Sequence, residues 1–437
     1  MRIAKMKRGI HPLDNKNTAS QKIRYFFPKN GADMVYPMVQ HLGAPCKPIV
    51  AVGDMVDVGQ KIADNDAYMS SPIHSTVSGI VTDYRMTITP SGRMCNAIVI
   101  KNDGKYRDHP DCNHGVDFTN MPREKILAYI RESGLVGLGG AGFPSHVKLD
   151  PPADKTIDTI FINAAECEPY LTNDHRVLLE EPTRILKGME VILHLFPEAK
   201  AILAIEDNKL DAIKLLTELN TNPRITVMPM KTCYPQGAEK QIINACLGRE
   251  VPSGGFPMDV GCIVINVDTT ISLHRAFFRG RPLMRKIVTI AGGAVNNPGN
   301  YKIRLGMSYR EVIEAAGGLN SRAYKIVMGG PMMGVAHYTL DVPVIKTSSA
   351  LLFFTEEESR VSDERNCFRC GKCVDHCPMG LLPLDLNKYV LANKIELFKK
   401  YNGMDCIECA CCSYTCPAKR HLSQSISTVR RELLAAR

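Results

Sequence analysis

The chain is 437 residues long, 45% apolar and 23% charged, with 33 glycines, 27 prolines, no tryptophan and a formal charge of +9. That length exceeds one ordinary core and implies three or four turn-rich domains. No apolar run approaches the roughly 18–20 residues of a membrane span, and no leader-like apolar stretch follows the basic N-terminus. The basic residues are scattered, with modest concentrations at the ends (MRIAKMKRG, KRH, VRR). The charge therefore reads as solvation and docking, nucleic-acid binding is not expected, and a cytoplasmic setting is.

Residues 1–115 read as short strands and turns. From Cys46 to Tyr84, β-branched pieces are separated by Gly-Asp, Gly-Gln, Ser-Pro and Ser-Gly, which predicts closely spaced hairpins. This stretch resembles the barrel-sandwich domain of biotinyl and lipoyl carriers. Those carriers present a modified lysine at a hairpin tip. Here the tip is Pro72, Ile73, His74 and Ser75, so a structural or docking module is expected rather than a swinging arm.

Residues 120–285 alternate between helix and strand patterns. MPREKILAYIRESG predicts a helix, with Pro122 and Glu124 in its first turn and Gly134 at its end. The loop GLVGLGGAGFPSHVKL follows. Then come strand TIDTIFINAAECEP, helix EEPTRILKGMEVILHLF, strand AKAILAIEDN, helix NKLDAIKLLTELN and strand RITVMPM. Such alternation predicts an α/β layer on a largely parallel sheet. Residues 286–345 predict a small β-grasp module, with two strands around a Pro-Gly turn and a helix ending at Gly317-Gly318. TEEESRVSDE is a charged linker, a cysteine domain spans 358–425, and a basic helix closes the chain at 426–437. The fold class expected is multidomain α/β.

Nine of the sixteen cysteines fall between Cys367 and Cys416. CFRCGKCVDHCP and CIECACCSYTCP both obey C-x2-C-x2-C-x3-C-P, the bacterial ferredoxin pattern. Three thiolates on a tight loop grip three corners of an iron–sulfur cube, and in paired runs the fourth cysteine ligates the other cluster. One [4Fe–4S] cluster would use Cys367, Cys370, Cys373 and Cys416, and the other Cys406, Cys409, Cys412 and Cys377. Cys411 is a spare, buried neighbour. Zinc prefers cysteine pairs separated by a longer loop.

The glycine loop follows a helix, so it is not a dinucleotide-fold fingerprint, and it lacks the Gly-Lys-Ser/Thr of a Walker loop. Its bare backbone at Gly137, Gly139, Gly140 and Gly142, with Lys148 beyond, can hold a phosphate and let a flat ring lie on it. Phe143-Pro144 in the middle argues against a mobile linker.

GLGGAGFPSHVKL, INAAECEP, YPQGAEKQ and INVDTT together resemble the FMN- and NADH-binding fold of the flavoprotein subunit of respiratory complex I. The order of modules, from GIHP at Gly9–Pro12 to Cys416, is similar to the RnfC family, the C component of Rnf (Rsx) ion-translocating electron transport complexes. The resemblance implies FMN held by Gly137, Gly139, Gly140, Gly142 and Lys148, with Asn163, Glu166, Gly237, Asn266 and Thr269 around it. It implies NAD(H) stacked by Phe143 and Phe256 and contacted by Glu168 and Glu239. Three departures, Leu138 for an arginine, Ala165 for an aspartate and Ala238 for the first of two acids, remove polar contacts from the nucleotide more than from the flavin.

The function implied is the NAD-side subunit of a membrane ferredoxin:NAD+ oxidoreductase coupled to sodium or proton translocation. It would sit peripherally on the cytoplasmic face, partnered by membrane-embedded and iron–sulfur subunits and, indirectly, ferredoxin. No catalytic acid or base is required of the chain. His146 lacks a carboxylate partner, and Cys167 and Cys233 are expected to pack locally. The alternatives are a cobalamin reductase of the propanediol-utilisation type, whose glycine loop lies near the N-terminus, and a non-catalytic wiring or scaffold protein with a decayed nucleotide site.

Overall fold

The strands of the 120–285 segment are short apolar runs buried on both faces, as a parallel sheet covered by helices requires. In the computed structural model, which describes residues 3–436, Thr159–Ala164, Lys200–Glu206, Ile225–Met230 and Cys262–Asn266 form an all-parallel sheet. Met1, Arg2 and Arg437, at the outer ends of the expected first domain and closing helix, lie outside the described residues. The spatial order is third, second, first, fourth strand. The order reverses between the first and fourth strands, where Asn163 and Asn266 stand side by side in register. Ligands of open α/β sheets bind at such a reversal, outside the carboxyl ends of the strands.

Helices at Arg123–Glu132, Pro182–Leu195 and Leu210–Leu219 fall where the periodicity puts them. Val267–Arg279 buries nearly its whole length, and its first amides are capped by Asn266, whose side chain accepts from Asp268 N–H.

The N-terminal module packs the antiparallel strands Asp33–Pro37, Met94–Asn102, Gly79–Ile88 and Met55–Val56 against a smaller sheet of Lys47–Pro48, Lys61–Asp64 and Ile73–His74. Pro72–Ser75, the segment matched to the carriers' hairpin tip, is inside the protein, with Ile73, His74 and Ser75 all buried. The reason is tertiary. Lys346 Nζ donates to Pro72 O at 2.6 Å and to Gly134 O at 2.8 Å, tying this segment under the start of the glycine loop.

The third module is a six-stranded sheet, and its edge strand, Arg24–Tyr25, comes from the N-terminal segment and runs parallel to Gly299–Arg304. Arg285–Ala291 and Gly299–Arg304 are the pair around the Pro-Gly turn. Tyr309–Ala315 is the single helix, capped by Ser308 Oγ, and Ala350–Phe354 lies inside the sheet. One continuous core joins these three modules, whereas the cysteine domain has its own, built on Leu386, Phe398, Ile426 and Val429. The closing helix, Leu422–Ala435, supplies the last two. Among the described residues no helix is long and apolar enough to cross a membrane.

Candidate functional site

The glycine loop lies over the sheet's reversal point and is anchored from several sides. Leu138 N–H donates to Thr269 Oγ1 at 2.9 Å, and Leu138 O accepts from the buried Lys286 Nζ at 3.1 Å. Gly137 N–H closes onto Phe143 O at 2.8 Å, and Gly142 O accepts Leu42 N–H of the barrel-sandwich. Leu138, read as a lost polar contact, is buried as an anchor.

Between these anchors Gly139, Gly140 and Ala141 are exposed. A Cβ at Gly139 would come within 2.9 Å of Asn266, whereas one at Gly140 meets nothing within 4 Å. At Gly237 it would lie 3.2 Å from Cys167 Sγ and 3.5 Å from Ala165 Cβ. Gly139 and Gly237 are thus bare because neighbours crowd them, whereas Gly140 faces open space, which leaves a shelf of exposed backbone over Gly139–Ala141.

Lys148 closes the one-turn helix Ser145–Lys148, donating to Val264 O at 2.7 Å and to Glu239 Oε1. Its ammonium stays partly exposed, so a phosphate can share it with Glu239. Asn163 Nδ2 donates to Gly237 O at 2.8 Å, which fixes that glycine beside the strand end. Asn266 Nδ2 donates to Asp174 Oδ2 at 3.0 Å. Burial, with Glu166 and Asp268 nearby, pushes the Asp174 carboxyl up to about 7. Asn163, Gly237, Asn266 and Thr269 thus converge beneath Gly139 and Gly140, whereas Gly142, expected as bare cradle backbone, is buried against His41 and Thr347.

The two predicted glutamates of the strand-end loop are engaged elsewhere. Glu166 accepts the amides of Asp174 (2.6 Å) and His175 (3.3 Å), which caps the helix Asn173–Glu180 from eight residues away. Glu168 accepts Met332 and Met333 N–H at 3.1 and 3.0 Å, from the turn between the β-grasp strands Lys325–Met328 and Val335–His337. Burial pushes its carboxyl up to about 7. Phe143 is half-buried in the loop, and Phe256 is exposed just before Pro257–Val260. His146 Nε2 lies 3.0 Å from Tyr68 O, and among the described residues it forms no ion pair with a carboxylate.

Sequence reasoning missed three contributors. Cys167 accepts Gly237 N–H through its sulfur at 3.3 Å, so it shapes the shelf rather than merely filling space, while Cys233 contacts Ile10 O. Lys16 spans the strand-end loop, donating to Glu166 O, Glu168 O and Leu171 O. Tyr234 is buried and donates to Cys409 O at 2.9 Å, three residues before Gly237. A lone lysine in an irregular N-terminal segment and a lone tyrosine carry no periodic signal.

The two cysteine runs share one backbone geometry. Arg369 and Glu408, at matching positions, have φ of 57° and 58°, and each donates its N–H to the sulfur two residues back, Cys367 and Cys406, at 3.4 Å. One pocket is lined by Cys367, Cys370, Cys373 and Cys416. In the other group Cys412 lies near Cys406, Cys409 and Cys377. The fourth cysteine of each run has therefore crossed to the opposite group. Burial, with Cys409 and Cys377 adding to it, pushes the Cys406 thiol up to about 12, a state that metal ligation reverses. Among the described residues no three such side chains converge on a single-ion point, and a cube of four irons needs a wider ring. Cys411 is buried against Tyr234 and Ile10.

Residues 4–105 match the RnfC barrel sandwich hybrid domain, 130–275 the Nuo51 FMN-binding domain, 287–336 the SLBB domain and 366–419 the 4Fe-4S dicluster domain. The C component of the Na(+)-translocating ferredoxin:NAD(+) oxidoreductase complex of Acetobacterium woodii is 40% identical over 432 residues, covering 99% of this chain and 97% of that protein. The chain belongs to the RnfC family. A second member, from the proton-translocating ferredoxin:NAD(+) oxidoreductase complex of Clostridium ljungdahlii, is 42% identical over 432 residues, covering 98% of this chain and 94% of its own. An NAD+-reducing [NiFe]-hydrogenase chain shares 19% identity at a TM-score of 0.48 over 72% of this chain and 61% of its own, a likeness that carries no argument. RnfC membership and the four matched modules agree with the fold class read from the sequence.

Proposed function

We propose that the chain is the NAD-side electron-transfer subunit of a membrane ferredoxin:NAD+ oxidoreductase that translocates sodium ions or protons. In this reading it passes electrons between NAD(H), FMN and two [4Fe–4S] clusters. The observation that carries it is the short protein path from shelf to cysteines. Gly237 lies on the shelf, Tyr234 is three residues before it, and the Tyr234 hydroxyl donates to Cys409 O. A flavin bound there supplies the exchange between two-electron hydride chemistry and single-electron transfer.

The chain's own residues bind and align. The bare amides of Gly139 and Gly140 and the Lys148 ammonium hold the phosphate side, and Asn163, Asn266 and Thr269 fix the shelf. Phe143 and Phe256 supply rings for a nicotinamide nucleotide, with Glu239 as its polar contact, since Glu168 is spent on the Met332–Met333 turn. The two crossed sets of four thiolates hold the clusters. The membrane-embedded and iron–sulfur subunits of the complex are the partners, and the chain docks on them peripherally, at the cytoplasmic face.

Anaerobic reconstitution tests this. The protein should contain about eight irons, as two such clusters require, and should oxidise NADH with an artificial acceptor only when FMN is present. Iron without FMN binding would leave a wiring protein, and zinc in place of iron would overturn the cluster assignment.

A further inference from the structure

A cavity of about 400 Å³ opens where the N-terminal strand, the barrel-sandwich, the helix Val267–Arg279 and the β-grasp sheet meet, and no residue of the glycine loop lines it. Its walls carry five cations, Arg275, Arg281, Arg285, Lys302 and Arg304, and one lining acid, Asp108. Asp108 is fully used by Arg281, which grips both its oxygens. Glu181, behind the wall, is shared by Arg275, Lys302 and Arg184 at 2.8–3.0 Å.

The remaining positive charge is unanswered. Arg275 is 7% exposed, yet its Nε has no hydrogen-bond partner. Among the described residues the Arg285 side chain makes no hydrogen bond or ion pair, although it is partly buried. Burial, then repulsion from Arg275, presses Arg285 down to about 9, and burial with Arg275 and Arg285 presses Lys302 down to about 7. Folding has therefore gathered cations that repel one another, which an arriving anion would relieve. The rim is aromatic. Tyr25 and Phe27 are 59% and 60% exposed, and each already packs its ring against a cation, Lys302 and Arg304 respectively.

We propose that this cavity binds a nucleoside diphosphate-sized anion, with its phosphates against Arg285, Lys302 and Arg275 and its ring on Tyr25 and Phe27. The volume suits such a ligand, and arginine forks suit phosphate oxygens. The site is separate from the glycine-loop shelf and does not depend on the function proposed above.

The test is calorimetric titration of the full reconstituted chain with ADP and pyrophosphate as probes, the variants that follow separating this cavity from the glycine-loop shelf. ADP and pyrophosphate should bind, and Arg285→Gln should weaken both at least about tenfold, a loss typical of a charge-assisted hydrogen bond. Tyr25→Ala with Phe27→Ala, at exposed positions that leave the core intact, should weaken ADP and spare pyrophosphate. The proposal fails if neither anion binds near about 1 mM, or if pyrophosphate binds and ADP does not. It also fails if Arg285→Gln leaves ADP binding unchanged. Failure of both probes, with loss of co-purifying partner proteins in Arg285→Gln, would make the cavity a docking site for an acidic partner segment.

Discussion

Adjacent glycines can serve opposite purposes, and the shelf separates them. Gly139 is bare because Asn266 occupies the space its Cβ would need, 2.9 Å away. Gly140 has open space on that side, so nothing in the protein explains its lack of a side chain. Gly139→Ala must push Asn266 off the helix cap and Asp174, an overpacking change of about 1–3 kcal/mol. Gly140→Ala should shift stability by no more than about 1 kcal/mol while weakening FMN roughly tenfold, about 1.4 kcal/mol. Melting curves with and without FMN, and quenching of flavin fluorescence, distinguish the two. If Gly140→Ala binds FMN like the wild type, the phosphate side of the flavin does not rest on that backbone. Glu166 offers a third contrast. Both its oxygens cap a helix, so Glu166→Ala should cost about 1–2 kcal/mol in the FMN-free protein as well, the usual worth of a cap.

Elements are coupled through buried acids, and Glu168 makes that coupling depend on pH. It clamps the strand-end loop to the Met332–Met333 turn, and burial holds its carboxyl up at about 7. An unfolded glutamate titrates near about 4.3. Across roughly pH 4.5–7 the folded chain thus keeps a proton that the unfolded chain has lost, and this group's contribution to stability falls as pH rises. Glu168→Gln lacks that titration. Its stability relative to wild type, read from melting curves, should therefore climb between pH 5 and 8 by an amount on the order of 2 kcal/mol. A pH-independent gap would mean that Glu168 is ionised throughout.

At this scale the sequence was legible wherever a pattern was local. The strand–helix alternation through Ile225–Met230 stands in the structure because each run carries its own periodicity. The one-turn helix Ser145–Lys148 is too short to show a period. The pairing of Arg24–Tyr25 with Gly299–Arg304 spans most of the chain and leaves no local trace. The same holds inside the site. Glycines and cysteines announce themselves by spacing, but Lys16, Cys167 and Tyr234 act through tertiary contacts alone, and Glu166 was readable as a strand-end acid but not as a distant cap.

For the whole molecule the question is what registers the cysteine domain on the flavin shelf, since that domain has its own core. Direct contacts from Gln241 to Pro378 O and from Ser253 to Asp405 join the two, and the N-terminal strap spans them. Ile10 exchanges both backbone hydrogen bonds with Tyr234, at 2.8 and 2.9 Å, and Tyr234 reaches Cys409 O. Gly9 O lies 2.9 Å from His376 Nδ1, next to the cluster ligand candidate Cys377, and Arg8 donates to Val374 O. Gly9 has φ of +145°, and a Cβ there would lie 2.5 Å from Tyr234 O. Alanine must therefore strain the strap or lift it. Gly31, with φ of +77° and nothing within 4 Å, is a positive-φ glycine away from the cysteines where alanine would strain the backbone without meeting a neighbour. Gly9→Ala should retain FMN and about eight irons but slow cluster bleaching after an NADH pulse by tenfold or more, because electron transfer depends steeply on separation. Gly31→Ala should bleach at the wild-type rate. If Gly9→Ala melts at a lower temperature yet bleaches normally, the strap only fastens the domain, and the shelf and clusters are held in register by the direct contacts of Tyr234, Gln241 and Ser253.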